Sequence, residues 1–133
     1  MFQTLYFNEG FFMLIRYKQN QEKIAMGLLS FMPIEKDDVR LLQQTMKQYT
    51  DEENWHLYLW KEAEDIVGAI GFKIEDELNV VIQHISVNPS YRNLGIGKLM
   101  IDAVKDLYGD KYDVCGNEHT QHFFHKCDVN EAE

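Results

Sequence analysis

The stretch that most restricts what this chain can fold into is residues 80–107, VVIQHISVNPSYRNLGIGKLMIDAVKDL. It opens with an apolar run over 80–87, rich in the β-branched residues that strands favour. Asn88-Pro89-Ser90 ends the run, because proline cannot extend a hydrogen-bonded ladder and biases its predecessor away from helix. After Tyr91 and Arg92-Asn93-Leu94-Gly95-Ile96-Gly97, apolar residues recur at Ile96, Leu99, Met100, Ala103, Val104, Leu107 and Tyr108. That spacing marks a buried helical face. A glycine-rich turn between strand and helix leaves backbone N–H groups without partners at the positive end of the helix dipole. Such a turn suits a phosphate.

Spacing separates the nucleotide-binding turns that share this plan. A Walker A loop needs a further glycine upstream of its Gly-Lys pair and a hydroxyl residue after it. Those positions hold Arg92 and Leu99. The dinucleotide fingerprint needs a third small residue where Met100 stands. What remains is R-x-x-G-x-G behind a strand that ends I-S-V-N-P.

Charge narrows the partners. The chain has 13 basic and 22 acidic residues, a formal net charge of −9, and no run of Lys or Arg to line a nucleic-acid groove. A cationic small molecule or basic peptide suits that field better than DNA does. At 133 residues, with 45% hydrophobic content, the chain is expected to form one packed domain. No stretch reaches the apolar length of a membrane span, and the first residues lack the basic start and cleavage site of a signal peptide. Cys115 and Cys127 do not amount to a disulfide framework, so a reduced, cytoplasmic protein is the default expectation.

In chain order, residues 13–18 read as a strand, 19–32 as a helix stopped before Pro33, and 35–49 as a second amphipathic helix. Residues 55–61 and 65–75 read as a hairpin. In its first strand both alternating sets are apolar, so both faces should be covered. Gly68 and Gly71 mark a bulge or a close approach in the second. Residues 111–115 give a short strand after the long helix, and 118–127 a last helix carrying Phe123 and Phe124. Residues 1–12 are set aside as an extension, leaving 13–133 as the domain.

The loop, its strand and its helix together resemble the signature of the GNAT N-acetyltransferases, and the element order matches that family over nearly the whole chain. The segments I-A-M-G-L-L-S-F-M-P, L-W-K-E, D-I-V-G-A-I-G, H-I-S-V-N-P, G-I-G-K and N-E-x-T-Q-x-F-F further resemble the small acetyltransferase-like proteins of bacterial riboflavin operons. The resemblance implies an α/β (α+β) fold, a mixed and mostly antiparallel sheet flanked by helices, here without the usual last strand or strands. The substrate side would then be unusually open or completed by a partner, a homodimer included.

It also implies acetyl-CoA as cofactor. The donor would lie along Ile85, Ser86 and Val87, where one backbone N–H would polarise the thioester carbonyl. Its pyrophosphate would sit on Asn93, Leu94, Gly95, Ile96 and Gly97, with Arg92 as a cationic clamp and Lys98 adding charge. Asn117, Phe123 and Phe124 fit the family's N…F-Y pattern, except that Phe124 stands where a tyrosine commonly protonates the leaving thiolate. Phenylalanine has no proton to give. Losing the acid is tolerable, because a thiol of pKa about 8.5 leaves as thiolate at a cost of about 2 kcal/mol at neutral pH. A lysine-like amine costs about 4–5 kcal/mol to deprotonate there. Water, Tyr91 or Tyr112 remain as proton sources.

His84 is the candidate base, expected to share a strand face with Ile82 and Ser86. A core histidine held by hydrogen bonds is the alternative. Glu35, Glu53 and Glu75 are further candidate carboxylates, weighed against the expectation that a loop acid in an acidic protein is simply solvated. His119, His122 and His125 cannot converge on one ion from a helix, and Cys115 and Cys127 lack structural-zinc spacing, so no metal is expected. The leading reading is an acetyl-CoA-dependent N-acetyltransferase that moves an acetyl group directly to a small-molecule amine. An acyl-CoA-binding or regulatory module is the alternative, and a protein lysine acceptor a third.

Overall fold

A computed structural model describes residues 4–8 and 12–121. In chain order the elements are β1 (Thr4–Asn8), β2 (Phe12–Arg16), α1 (Glu22–Leu29), α2 (Val39–Asp51) and β3 (Trp55–Glu62). They continue with β4 (Asp65–Glu75), β5 (Asn79–Val87), α3 (Ile96–Tyr108) and β6 (Asp113–Gly116). The six strands lie side by side in chain order. Neighbours are antiparallel except β5 and β6, which the α3 crossover makes parallel. This is the expected mixed, mostly antiparallel sheet. β1 pairs with β2, so part of the segment set aside as an extension forms an edge strand of that sheet.

The first two helices differ from expectation at their facing ends. The chain leaves α1 at Ser30, whose hydroxyl donates to the Gly27 carbonyl at 2.7 Å. Pro33 then prevents helix from resuming. α2 starts at Val39 rather than at residue 35, because Asp38 is the better N-cap: its carboxylate accepts the Leu41 N–H at 2.9 Å. Between them residues 30–38 form a series of hydrogen-bonded turns.

Helices cover both faces. α3 packs on Tyr58, Trp60, Ile70 and Phe72, whereas α1 and α2 pack on Leu57, Leu59 and Ala69. β3 thus has both faces buried, as its two apolar sets require. In β5, Gly71 pairs with His84 and Phe72 with Ile82, which leaves Gln83 as the extra residue of a bulge. Val80 and Ile82 therefore face α3, while His84 bonds to Tyr49 of α2 and Ser86 to Leu28 of α1. Strict alternation places Ile82 and His84 on one face. The bulge separates them.

Gly71 makes a close approach possible. A Cβ there would lie 2.1 Å from the Tyr49 hydroxyl and 2.4 Å from its ring carbon, contacts that atoms do not tolerate. Cys115 is buried in β6. No helix among the described residues is long and apolar enough to cross a membrane.

Two predictions follow from the packing. Gly71→Ala is expected to lower the unfolding free energy by about 1–3 kcal/mol, the usual range for forced overpacking, as read by denaturant titration. Unchanged stability would mean that Tyr49 has room to move. The second concerns alkali. Burial pushes the Tyr108 hydroxyl up to about 12, and burial followed by the Glu35 charge holds Tyr49 well above the usual range. The folded state therefore keeps phenolic protons that the unfolded chain gives up near pH ~10. This stability is fully present below that pH and is lost as pH rises from about 10 through about 12. Tyr108→Phe should flatten that alkaline fall, measured by unfolding at a series of pH values.

Candidate active site

The site begins where β5 ends. The Asn88 side chain accepts the Ser90 N–H at 2.9 Å, which starts a short turn through Pro89–Tyr91. Asn93 and Gly95 then adopt left-handed backbone angles, φ 68° and 78°, and swing the chain into α3. Gly95 is the N-cap, and with no side-chain oxygen it leaves the first turn uncapped. The first helical bond runs from Leu99 N–H to the Gly95 carbonyl at 3.0 Å. The N–H groups of Ile96, Gly97 and Lys98 precede that bond, and no acidic side chain lies in the first turn. Arg92 ties the loop to the strand, its Nε donating to the Val87 carbonyl at 3.4 Å.

The second component is a gap in the sheet. β5 and β6 pair only as far as Ile82 opposite Gly116. The Asn117 N–H and the Thr120 hydroxyl both bond to the Ile82 carbonyl, at 3.3 and 2.8 Å, and close the apex of the wedge. Beyond it, the Asn88 N–H reaches back to the Val67 carbonyl of β4 at 2.8 Å. Alternation along the strand then turns the peptide groups of Val87 and Ile85 away from β4, into the gap. Ile85, Ser86 and Val87 line one side of a cleft of about 560 Å³ that continues over Arg92, Asn93 and the 95–98 turn. Residues 31–34 and His119 also line the cleft.

Several expected site residues have other work. Leu94 is 61% exposed and does not line the cleft. The Ser86 hydroxyl donates to the Leu28 carbonyl and pins β5 to α1. The Asn117 side chain accepts from the N–H groups of His119 and Thr120 and donates to Gln83, so it shapes the wedge and does not line the cleft. Lys98 lines the cleft and pairs with Asp102 at 3.3 Å. Tyr91 lines it too, with its hydroxyl on Asp65 at 3.3 Å, and that charge raises the phenol's pKa. Tyr112 stacks edge-on against Tyr108, outside the cleft lining. His122, Phe123, Phe124, His125 and Cys127 lie outside the described residues.

His84 sits behind the cleft wall. It is 7% exposed, with Nε2 2.8 Å from Glu35 Oε2 and Nδ1 2.7 Å from the Tyr49 hydroxyl. Glu35 Oε2 also accepts from Thr45 Oγ1 at 3.1 Å. The Tyr49 hydroxyl and Glu35 Oε2 each occupy one ring nitrogen, and the histidine tautomer sets which partner donates. Neither ring nitrogen is then open to a substrate. Glu35, expected to be solvated, is 1% exposed. Sequence reasoning missed it and Tyr49 as partners of His84. The one available signal was Gly71, the strand position that must lack a side chain.

The residues fit a coenzyme A thioester. A pyrophosphate matches the uncapped turn with Arg92 and Lys98 beside it, and an extended amide-bearing arm matches the peptide groups turned into the gap.

Comparison with known proteins agrees. Residues 22–128 match the family model of the acetyltransferase (GNAT) family. A Bacillus methanolicus protein described as an uncharacterized N-acetyltransferase in the lysA 3′ region is 59% identical over 117 residues, covering 88% of this chain and 96% of that protein. Among solved structures, a possible acetyltransferase from Clostridium difficile 630 superposes with TM-score 0.69 at 15% identity, over 89% of this chain and 93% of that one. A GNAT family acetyltransferase from Elizabethkingia anophelis with acetyl-CoA bound gives 0.59 at 21% identity, over 79% of this chain and 63% of that one. The chain belongs to the GNAT acetyltransferase family.

Proposed function

We propose that this protein moves an acetyl group from acetyl-CoA directly to the amine of a small molecule. The observation that carries the reading is a single cleft joining the uncapped α3 turn, the unpaired edge of β5 and an apolar loop wall. Bound acetyl-CoA supplies an acyl group on a thiol leaving group. Gly95, Ile96, Gly97 and Lys98 offer N–H groups to phosphate, and Arg92 adds a cation held at the end of β5. A backbone N–H at Ile85 or Val87 polarises the acyl carbonyl. The motif order also resembles RibT of bacterial riboflavin operons, and an amine linked to riboflavin metabolism is the acceptor to try first.

His84 works here by holding the wall. Its bond to Glu35 fixes the 31–34 turns against β5, and the acceptor amine arrives already deprotonated. The alternative, a CoA-binding regulatory module, draws support from the same closed histidine, which has no nitrogen left for proton transfer.

Calorimetric titration with CoA tests the cofactor site. Gly95→Trp puts a bulky side chain at a left-handed position in the loop and should weaken CoA by tenfold or more, while the far-ultraviolet spectrum stays native. Unchanged affinity would place the cofactor elsewhere. A pH profile tests the chemistry. For an amine of pKa about 10.4, kcat/KM should rise about tenfold per pH unit between about 7 and 9. His84→Ala should leave that slope intact. A plateau near the usual histidine range, lost in His84→Ala, would make His84 the base.

A further inference from the structure

The cleft has two chemically different sides. Its cationic residues, Arg92 and Lys98, belong to the loop that faces phosphate. Phe31, Met32, Pro33 and Ile34 add an apolar wall to the same cleft. Phe31 and Ile34 are 41% and 38% exposed, although large apolar side chains are normally withdrawn from water. The wall is not a slack loop. Turn bonds run from Met32 N–H to the Leu29 carbonyl and from Glu35 N–H to the Met32 carbonyl, each at 3.0 Å. Glu35 then anchors its end through His84 and Thr45. A rigid turn that keeps two large apolar side chains on a cleft is built to receive an apolar group.

From this juxtaposition we infer that the acceptor is a primary amine carried on an alkyl or aryl body, with a single ammonium centre. The inference rests on the acetyl-transfer reading and specifies its substrate class. The apolar body lies against Phe31 and Ile34, which aims the amine at the β5 edge. A polyamine gains little there: its further ammonium groups would face the apolar wall or the Arg92 and Lys98 side of the cleft. Charge buried without a partner is costly.

The test is calorimetric titration of the full chain, saturated with CoA, with ethylamine, phenylethylamine and spermidine. Acetyl transfer from acetyl-CoA to each is followed in parallel. Phenylethylamine is expected to bind at least about tenfold more tightly than ethylamine, since each buried methylene contributes about fourfold. Spermidine should bind no better than ethylamine. Phe31→Ala and Ile34→Asp should each weaken phenylethylamine about fivefold or more with CoA affinity unchanged, and Phe31→Leu should restore most of it. Spermidine binding as tightly as phenylethylamine would overturn the inference. So would an Ile34→Asp variant that weakens CoA and leaves the amine order intact, because the wall would then belong to the cofactor arm. The expected binding order without acetyl transfer would support the wall as an amine site and refute the transferase reading, so the two failures are distinct.

Discussion

The site depends on β5 losing its parallel neighbour. Strand pairing normally occupies every peptide group along both edges, and here β6 accompanies β5 only as far as Ile82. Past that point β5 keeps β4 on one side and faces a cleft on the other. Asn117 and Thr120 fix where the parting begins, because both bond to the carbonyl of Ile82. The same strand then breaks at Asn88-Pro89 and feeds an uncapped helix start. One continuous segment therefore supplies an open β edge and a cluster of N–H groups next to it. A long ligand with an amide-bearing arm and an anionic end matches both.

On the other face, a buried polar chain sets the position of the cleft wall. Glu35, His84 and Tyr49 are each nine-tenths buried or more, and their hydrogen bonds are short. Glu35 Oε2 carries the bonds of this set while its Oε1 is buried without one, and leaving a further buried group unpaired typically costs about 1–3 kcal/mol, more when it is charged. The set depends on two backbone features. The bulge at Gln83 turns His84 toward α2, and Gly71 leaves room for the Tyr49 hydroxyl. The wall residues Phe31 and Ile34 are thus held in place by contacts made on the far side of their own loop.

Much of this was legible in the sequence. The strand, turn and helix of residues 80–107 carry their own punctuation, and the doubled apolar pattern of β3 announced a sheet covered on both faces. What was not legible depends on tertiary contacts. A bulge adds one residue without changing composition, so Ile82 and His84 read as sharing a face when they do not. Glu35 reads as an ordinary loop acid until the chain folds and brings it to a histidine 49 positions away. Residues 30–32 and 35–38 read as helix ends, yet the chain leaves α1 at Ser30 and Asp38 caps α2, so the whole segment is turns.

The central claim is that one cleft, running from the β5 edge to the α3 turn, holds the acetyl donor. Backbone amide resonances of the isotope-labelled protein during CoA titration test it most directly. The account predicts the largest shifts at Ile85, Val87, Gly95, Ile96, Gly97 and Lys98, with the buried amides of β3 unmoved. Saturable shifts centred elsewhere, or none at all in the folded protein, would contradict it.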